Sequence, residues 1–284
     1  MKKTLFNDGW QFVEMPLDTP YEEVPVQTFQ PVTLPHDFLI TDTAGLYRDA
    51  DGWYRRIFTV PARRDDASGR IQLYFDGVYM DSTVYLNGKK IGEWKYGYSS
   101  FLIDLTEHLL FGEENELRVS VRYQSPNTRW YSGAGIFRNV FLVEKPQTHI
   151  PVNGVYFHAE ERPGGTWEMV IRTEIDGSRA MNAQVTHRLL SPDDTEVPMT
   201  PVFQTELTVE APFLQGSREL SQKRGISLLS AKRTIRCVEQ RYLVEGIHSW
   251  DIDSPVLYTL KTSLQTDDAE PDTEETRVGF RTVT

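Results

Sequence analysis

The feature that most constrains this chain is a period of two. Short runs rich in β-branched and aromatic residues lie at 71–75 (IQLYF), 83–86 (TVYL), 117–123 (LRVSVRY), 136–143 (IFRNVFLV) and 168–175 (EMVIRTEI), bounded by Gly, Asn, Asp or Pro. Side chains of a strand alternate between faces, so runs this short bury a face only by pairing into sheets. Asn87-Gly88 follows TVYL and precedes Lys89-Lys90-Ile91-Gly92, and both turn residues tolerate the positive φ that a two-residue hairpin demands. Only 104–111 (DLTEHLLF) predicts a helical turn, with Asp104 as its cap. Many short strands with turn punctuation predict an all-β chain built of sandwiches.

At 284 residues the chain exceeds the usual single domain. Pro146 and Pro151 bracket the short polar stretch QTHI, just after the strand ending at Val143. That predicts two domains, 1–147 and 148–284. The second continues through 183–190, 203–209, 232–244 and 256–264, and its count of about seven strands suits an immunoglobulin-like sandwich. Residues 210–231 are irregular and basic-leaning, which predicts a mobile loop or a short helix. Residues 265–276 hold six acids and no base, which predicts a solvated hairpin tip.

Charge and cysteine content exclude several classes. A net charge of -11 disfavours nucleic acid and anionic membranes alike. The single cysteine, Cys237, rules out an intrachain disulfide or a cysteine metal cluster and fits a reducing compartment. Asn7 and Asp8 interrupt the N-terminal MKKTLFNDGWQF, so it does not read as a signal peptide, and no apolar run approaches the ~18 residues of a membrane span. A soluble cytoplasmic protein is expected. There is no phosphate-binding glycine loop, no Gly-x-Ser-x-Gly and no His-Glu-x-x-His, and the histidines are scattered singly. His158-Ala159-Glu160 lacks the paired cysteines of a zinc deaminase and reads as strand surface. Arg233, Arg236 and Arg241 near Cys237 could lower its thiol pKa, but a buried strand residue is the simpler reading. No metal ligand or cofactor is assigned.

Aromatic and polar residues cluster in the first domain, at 35–37 (PHD), 53–56 (WYRR), Tyr96-Gly97-Tyr98 and 129–138 (RWYSGAGIFR). Ring faces beside carboxylates and arginines suit sugars, whose C–H faces stack while hydroxyls take directional hydrogen bonds. They also suit plain corner packing, and composition leaves both readings open.

Read in order, FNDGWQF (6–12), LPHDF (34–38), GWYRRIFTVP (52–61), LYFDGVYMDSTVYLNGKKIG (73–92), GEENELRVSV (112–121) and RWYSGAGIFRNVFL (129–142) carry a resemblance. The first domain resembles the N-terminal sugar-binding domain of glycoside hydrolase family 2, over about 140 residues, with PHDF and RWYSGAGIFR most similar to the β-galactosidase branch. HSWDIDSPVLYTLKT (248–262) and RVGFRTV (277–283) resemble the family's immunoglobulin-like domain, whereas 205–240 matches poorly. The resemblance implies an N-terminal jelly-roll (galactose-binding-like) β-sandwich followed by an immunoglobulin-like β-sandwich.

The resemblance also implies that catalysis belongs to a third domain, a TIM barrel following the GFRTV strand. Retaining hydrolysis needs two carboxyl groups about 5–5.5 Å apart. The only Asn-Glu pair here, Asn115-Glu116, enters a sandwich strand and reads as a decoy, so no catalytic residue is assigned. The family's loops imply Asp37 and Arg129 as sugar contacts and Trp130 as an aromatic wall. Against this, Asp37 could cap a turn, and Trp130 and Arg138 could pin a corner. Gly133 and Gly135 are expected to allow backbone conformations closed to other residues. Ser132–Gly135 is expected to turn the corner, and Ile136 to begin a core strand. The expected partners are a β-galactoside or other carbohydrate, a C-terminal catalytic barrel and a second copy in a homo-oligomer. The alternatives are a stand-alone carbohydrate-binding module, or the front of a β-glucuronidase or β-mannosidase.

Overall fold

The computed structural model describes residues 2–42, 44–62, 69–127, 130, 133–177, 182–209, 235–267 and 269–282. Its described strands pair antiparallel in four sheets, so the all-β expectation holds. One compact unit spans Lys2–Glu144 and the other begins at Lys145.

In the first unit a six-stranded sheet runs in the order Gln30–Val32, Trp10–Met15, Ala50–Thr59, Glu114–Tyr123, Ser82–Leu86 and Lys89–Trp94. A four-stranded sheet, ordered Lys2–Leu5, Val140–Pro146, Gly69–Phe75 and Phe101–Asp104, packs on one of its faces. The alternation read from the sequence explains the core between them. Leu117, Val119 and Val121 of one strand meet Leu73, Phe75, Ile103 and Val140 of the other sheet. Burying each such side chain contributes about 1.5–3 kcal/mol. The six-stranded sheet is covered on its other face too. There Trp53, Tyr85 and Val13 pack under Tyr21, Val24 and Phe29. That second cover is why Ala50–Tyr54 is buried at every position instead of every other one.

Local signals were followed where short-range chemistry decides. Asn87 (φ 51°) and Gly88 (φ 80°) form the two-residue hairpin turn. The predicted helical turn at 104–111 is instead a non-helical turn. Asp104 Oδ1 accepts the Thr106 N–H at 2.9 Å, the bond expected of a cap, but Asn115 Oδ1 takes the Leu110 N–H at 2.8 Å, a donor that a continuing helix would use. The strand expected from Ile136 starts at Val140. Ile136 is buried, yet its carbonyl accepts from His36 N in a loop contact at 2.9 Å.

The second unit holds two four-stranded sheets. One is ordered Val155–Arg162, Thr166–Ile175, Ile235–Val244 and Thr200–Val209, the other Glu196–Val197, Ala183–Leu190, Tyr258–Thr266 and Ala269–Val278. Phe280 lies at the centre of their core, with Phe157, Trp167 and Tyr258 edge-on to it at 5.2–5.5 Å. The stretch 205–240, which resembles the family poorly, supplies the ends of two strands paired antiparallel. The loop or helix expected at 210–231 lies outside the described residues. The acidic run is not a solvated tip. It is mostly strand, and Asp272 within it is 1% exposed beside Lys145, whose Nζ lies 3.1 Å from its carboxylate. Glu274 pairs with the same ammonium, and Ile150 N donates to Asp272 at 2.9 Å.

Candidate functional site

The PHDF segment becomes a loop laid against 133–136. His36 N donates to Ile136 O and Phe38 N to Ala134 O, both at 2.9 Å. Between them, Asp37 Oδ1 accepts from Leu39 N and Ile40 N at 2.9 Å and from Ala134 N at 3.2 Å. Asp37 therefore does cap a turn, and the same bonds hold its carboxylate in one place. Gly135 (φ 143°) makes the approach possible. A Cβ there would lie 2.3 Å from His36 O and 2.5 Å from the Tyr54 hydroxyl. On its other side Gly135 exchanges two backbone bonds with Tyr79, at 2.8 and 2.9 Å.

Buried aromatics support this loop pair. Tyr79 is 1% exposed and its hydroxyl donates to Asn127 Oδ1 at 3.2 Å. His36 Nδ1 lies 2.8 Å from the Tyr54 hydroxyl. Burial lowers the His36 pKa more than neighbouring Asp37 raises it, which favours the neutral ring. Sequence reading missed Tyr79. Its trace was the glycine of Tyr96-Gly97-Tyr98, where a Cβ would come within 2.2 Å of the Tyr79 ring.

Of the remaining residues singled out, Arg129 lies outside the described residues. Trp130 is 88% exposed. Arg138 is also exposed, with its guanidinium 5.0 Å from the Phe137 ring. Asn115 is fully buried and Glu116 lies on the strand Glu114–Tyr123. The Glu116 carboxylate takes Arg55 Nε at 2.5 Å and Arg118 at 3.2 Å. Burial pushes its pKa up, but those two guanidinium groups outweigh it and hold it below the ordinary carboxylate range. A proton-donating role needs the opposite shift. Burial raises the Cys237 thiol pKa more than the nearby Arg172 lowers it, against the lowering its arginines could have produced. His158 and Glu160 meet at 3.2 Å on an exposed strand face. Among the described residues no three His, Cys, Asp or Glu side chains converge as a metal site.

Comparison with known families decides the assignment. The description "Glycosyl hydrolases family 2, sugar binding domain" matches residues 18–146, and "Glycosyl hydrolases family 2" matches 155–281. The chain belongs to glycoside hydrolase family 2. Among family 2 relatives, a β-galactosidase of Bacteroides ovatus is 34% identical over 88% of this chain and 28% of its own length. A β-galactosidase of Thermoanaerobacter pseudethanolicus is 26% identical over 98% of the chain and 35% of its own. A β-glucuronidase of Bacteroides fragilis is 25% identical over 88% and 34%. The crystal structure of a family 2 member from Bacteroides cellulosilyticus superposes with a TM-score of 0.77 at 23% identity, covering 100% of this chain and 37% of that one. The chain thus spans about a quarter to a third of its family 2 relatives, in the part that carries the sugar-binding domain and the domain after it.

Proposed function

We propose that this chain forms the substrate-site rim and scaffold of a family 2 enzyme that hydrolyses terminal β-galactosides, the two catalytic carboxyls coming from a barrel domain. The 34% identity to the Bacteroides ovatus β-galactosidase over 88% of the chain carries the galactoside reading. Asp37 supplies a carboxylate oriented by three backbone N–H groups, able to accept hydroxyls of a terminal sugar. Arg129 and Trp130 stand beside it in sequence to the 133–136 segment that Asp37 grips, as a second polar contact and an aromatic wall. A cytoplasmic setting fits the single, buried, reduced Cys237, and assembly as a homo-oligomer belongs to the same proposal.

With the barrel joined to this chain, Asp37→Ala is expected to lower kcat/KM for nitrophenyl β-galactoside about 10- to 100-fold, the worth of one charge-assisted hydrogen bond. An unchanged kcat/KM would remove Asp37 from the rim, and preferential turnover of a β-glucuronide would overturn the galactoside reading. The chain by itself is expected to leave the galactoside intact. Turnover that Glu116→Gln abolishes would overturn the structural role given to Glu116.

A further inference from the structure

A cleft of about 630 Å³ opens in the first unit, lined by Tyr74, Asp76, Tyr98, Ser99, Phe137 and Arg138 among others. Its size falls in the range of small-ligand sites. Its two charged groups stand apart. The half-buried Asp76 carboxylate and the exposed Arg138 guanidinium each make no hydrogen bond or ion pair among the described residues, although they share this cleft. Opposite charges left apart in one concavity are unusual, since closing the gap would gain Coulomb energy. Their backbones are fixed. Asp76 N donates to Asn139 O at 2.9 Å, and Asn139 Oδ1 accepts from Asn7 at 2.9 Å. Phe137 lies under the Arg138 guanidinium, and Gly77 leaves room for that stack, since a Cβ there would lie 3.0 Å from Arg138 and 3.1 Å from Phe137.

The aromatic wall is prepared as well. The Tyr98 ring meets Tyr79 at 5.3 Å and Tyr96 at 5.7 Å, both edge-on, so its orientation is set before any ligand arrives. A ring face, a carboxylate acceptor and a guanidinium donor in one cleft match one chemistry. It is a pyranose with adjacent hydroxyls, whose C–H face stacks while its hydroxyls donate to Asp76 and accept from Arg138. A ligand carboxylate would meet Asp76 as a like charge and Arg138 as an opposite one, so the two charges leave the choice between a neutral sugar and a uronate open.

We propose that this cleft is a carbohydrate subsite for pyranosides, able to bind without a catalytic domain. It deepens the galactoside reading above and borrows only the ligand class from it. The test is an amide NMR titration of the whole chain with lactose and methyl β-galactopyranoside. Lactose and the galactoside are expected to shift the amides of Ser99, Ser100, Phe137 and Asn139 with a Kd of about 1–10 mM. The pair Asp76→Asn with Arg138→Gln is expected to weaken galactoside binding about tenfold or more while the spectrum stays dispersed. Silent cleft amides, or binding unchanged in the double variant, would overturn the subsite. Shifts confined to residues 37–40 and 133–135 would also overturn it, yet leave the rim standing. The rim falls separately, on the kinetics of Asp37→Ala.

Discussion

Two charged sets in this molecule use the same residue types and serve opposite ends. In the second unit Lys145 is sealed from solvent, with Asp272 at 3.1 Å and Glu274 on the same ammonium. In the first unit the Asp76 carboxylate and the Arg138 guanidinium line one cleft and make no hydrogen bond or ion pair among the described residues. Burial makes the first set obligatory, because a charge stripped of water must find its counter-charge in the protein. Partial exposure frees the second, because water serves either group until a ligand replaces it. Side-chain identity therefore does not separate scaffold from site. Satisfaction does.

The contrast is broken most directly at Lys145. Lys145→Met leaves two carboxylates facing each other in a buried site, and urea unfolding is expected to show a loss of about 3–5 kcal/mol in the second unit. A loss within about 0.5 kcal/mol would mean that the sealed set is no more committed than the open one. Acid titration sharpens the same point. Burial pushes the Asp272 pKa up, but Lys145 and the Ile150 N–H outweigh it and hold it low. Burial pulls His187 down to about 4. Both groups have folded pKa values below their unfolded ones, so each contributes stability above the unfolded value and loses it as pH falls through the folded value. The His187 share should fade from about pH 6.5 to about 4, and the Asp272 share below about pH 4. Thermal melts against pH should follow that course, and His187→Gln should flatten the upper part of it. The smallest effect belongs to the cleft. Asp76→Asn with Arg138→Gln should shift unfolding by no more than about 0.5 kcal/mol. A larger loss would make these residues structural.

The sheets were legible because alternation and the Asn87-Gly88 turn are local. The sealed set was not, because Asp272 and its partner lie 127 residues apart. An acidic run with no base in it reads as solvated until the fold delivers a lysine from elsewhere. Ile136 misled for a related reason. It is buried in the sandwich core like a strand residue, but its carbonyl bonds to His36 of the loop rather than to a strand. Asp37 was legible as a residue of interest and as a turn cap, yet its grip on Ala134, 97 residues away, was not. The open cleft left only its rings in the sequence, since being unpaired is a property of the assembled surface.

That grip has a consequence for anyone wishing to retarget the molecule. Asp37 and Gly135 lock the 34–40 and 133–136 loops together by hydrogen bonds on one side and steric exclusion on the other. A loop transplanted from a relative with different specificity would arrive without its mate. The two segments form a single inheritable cassette, and grafts should exchange both or neither.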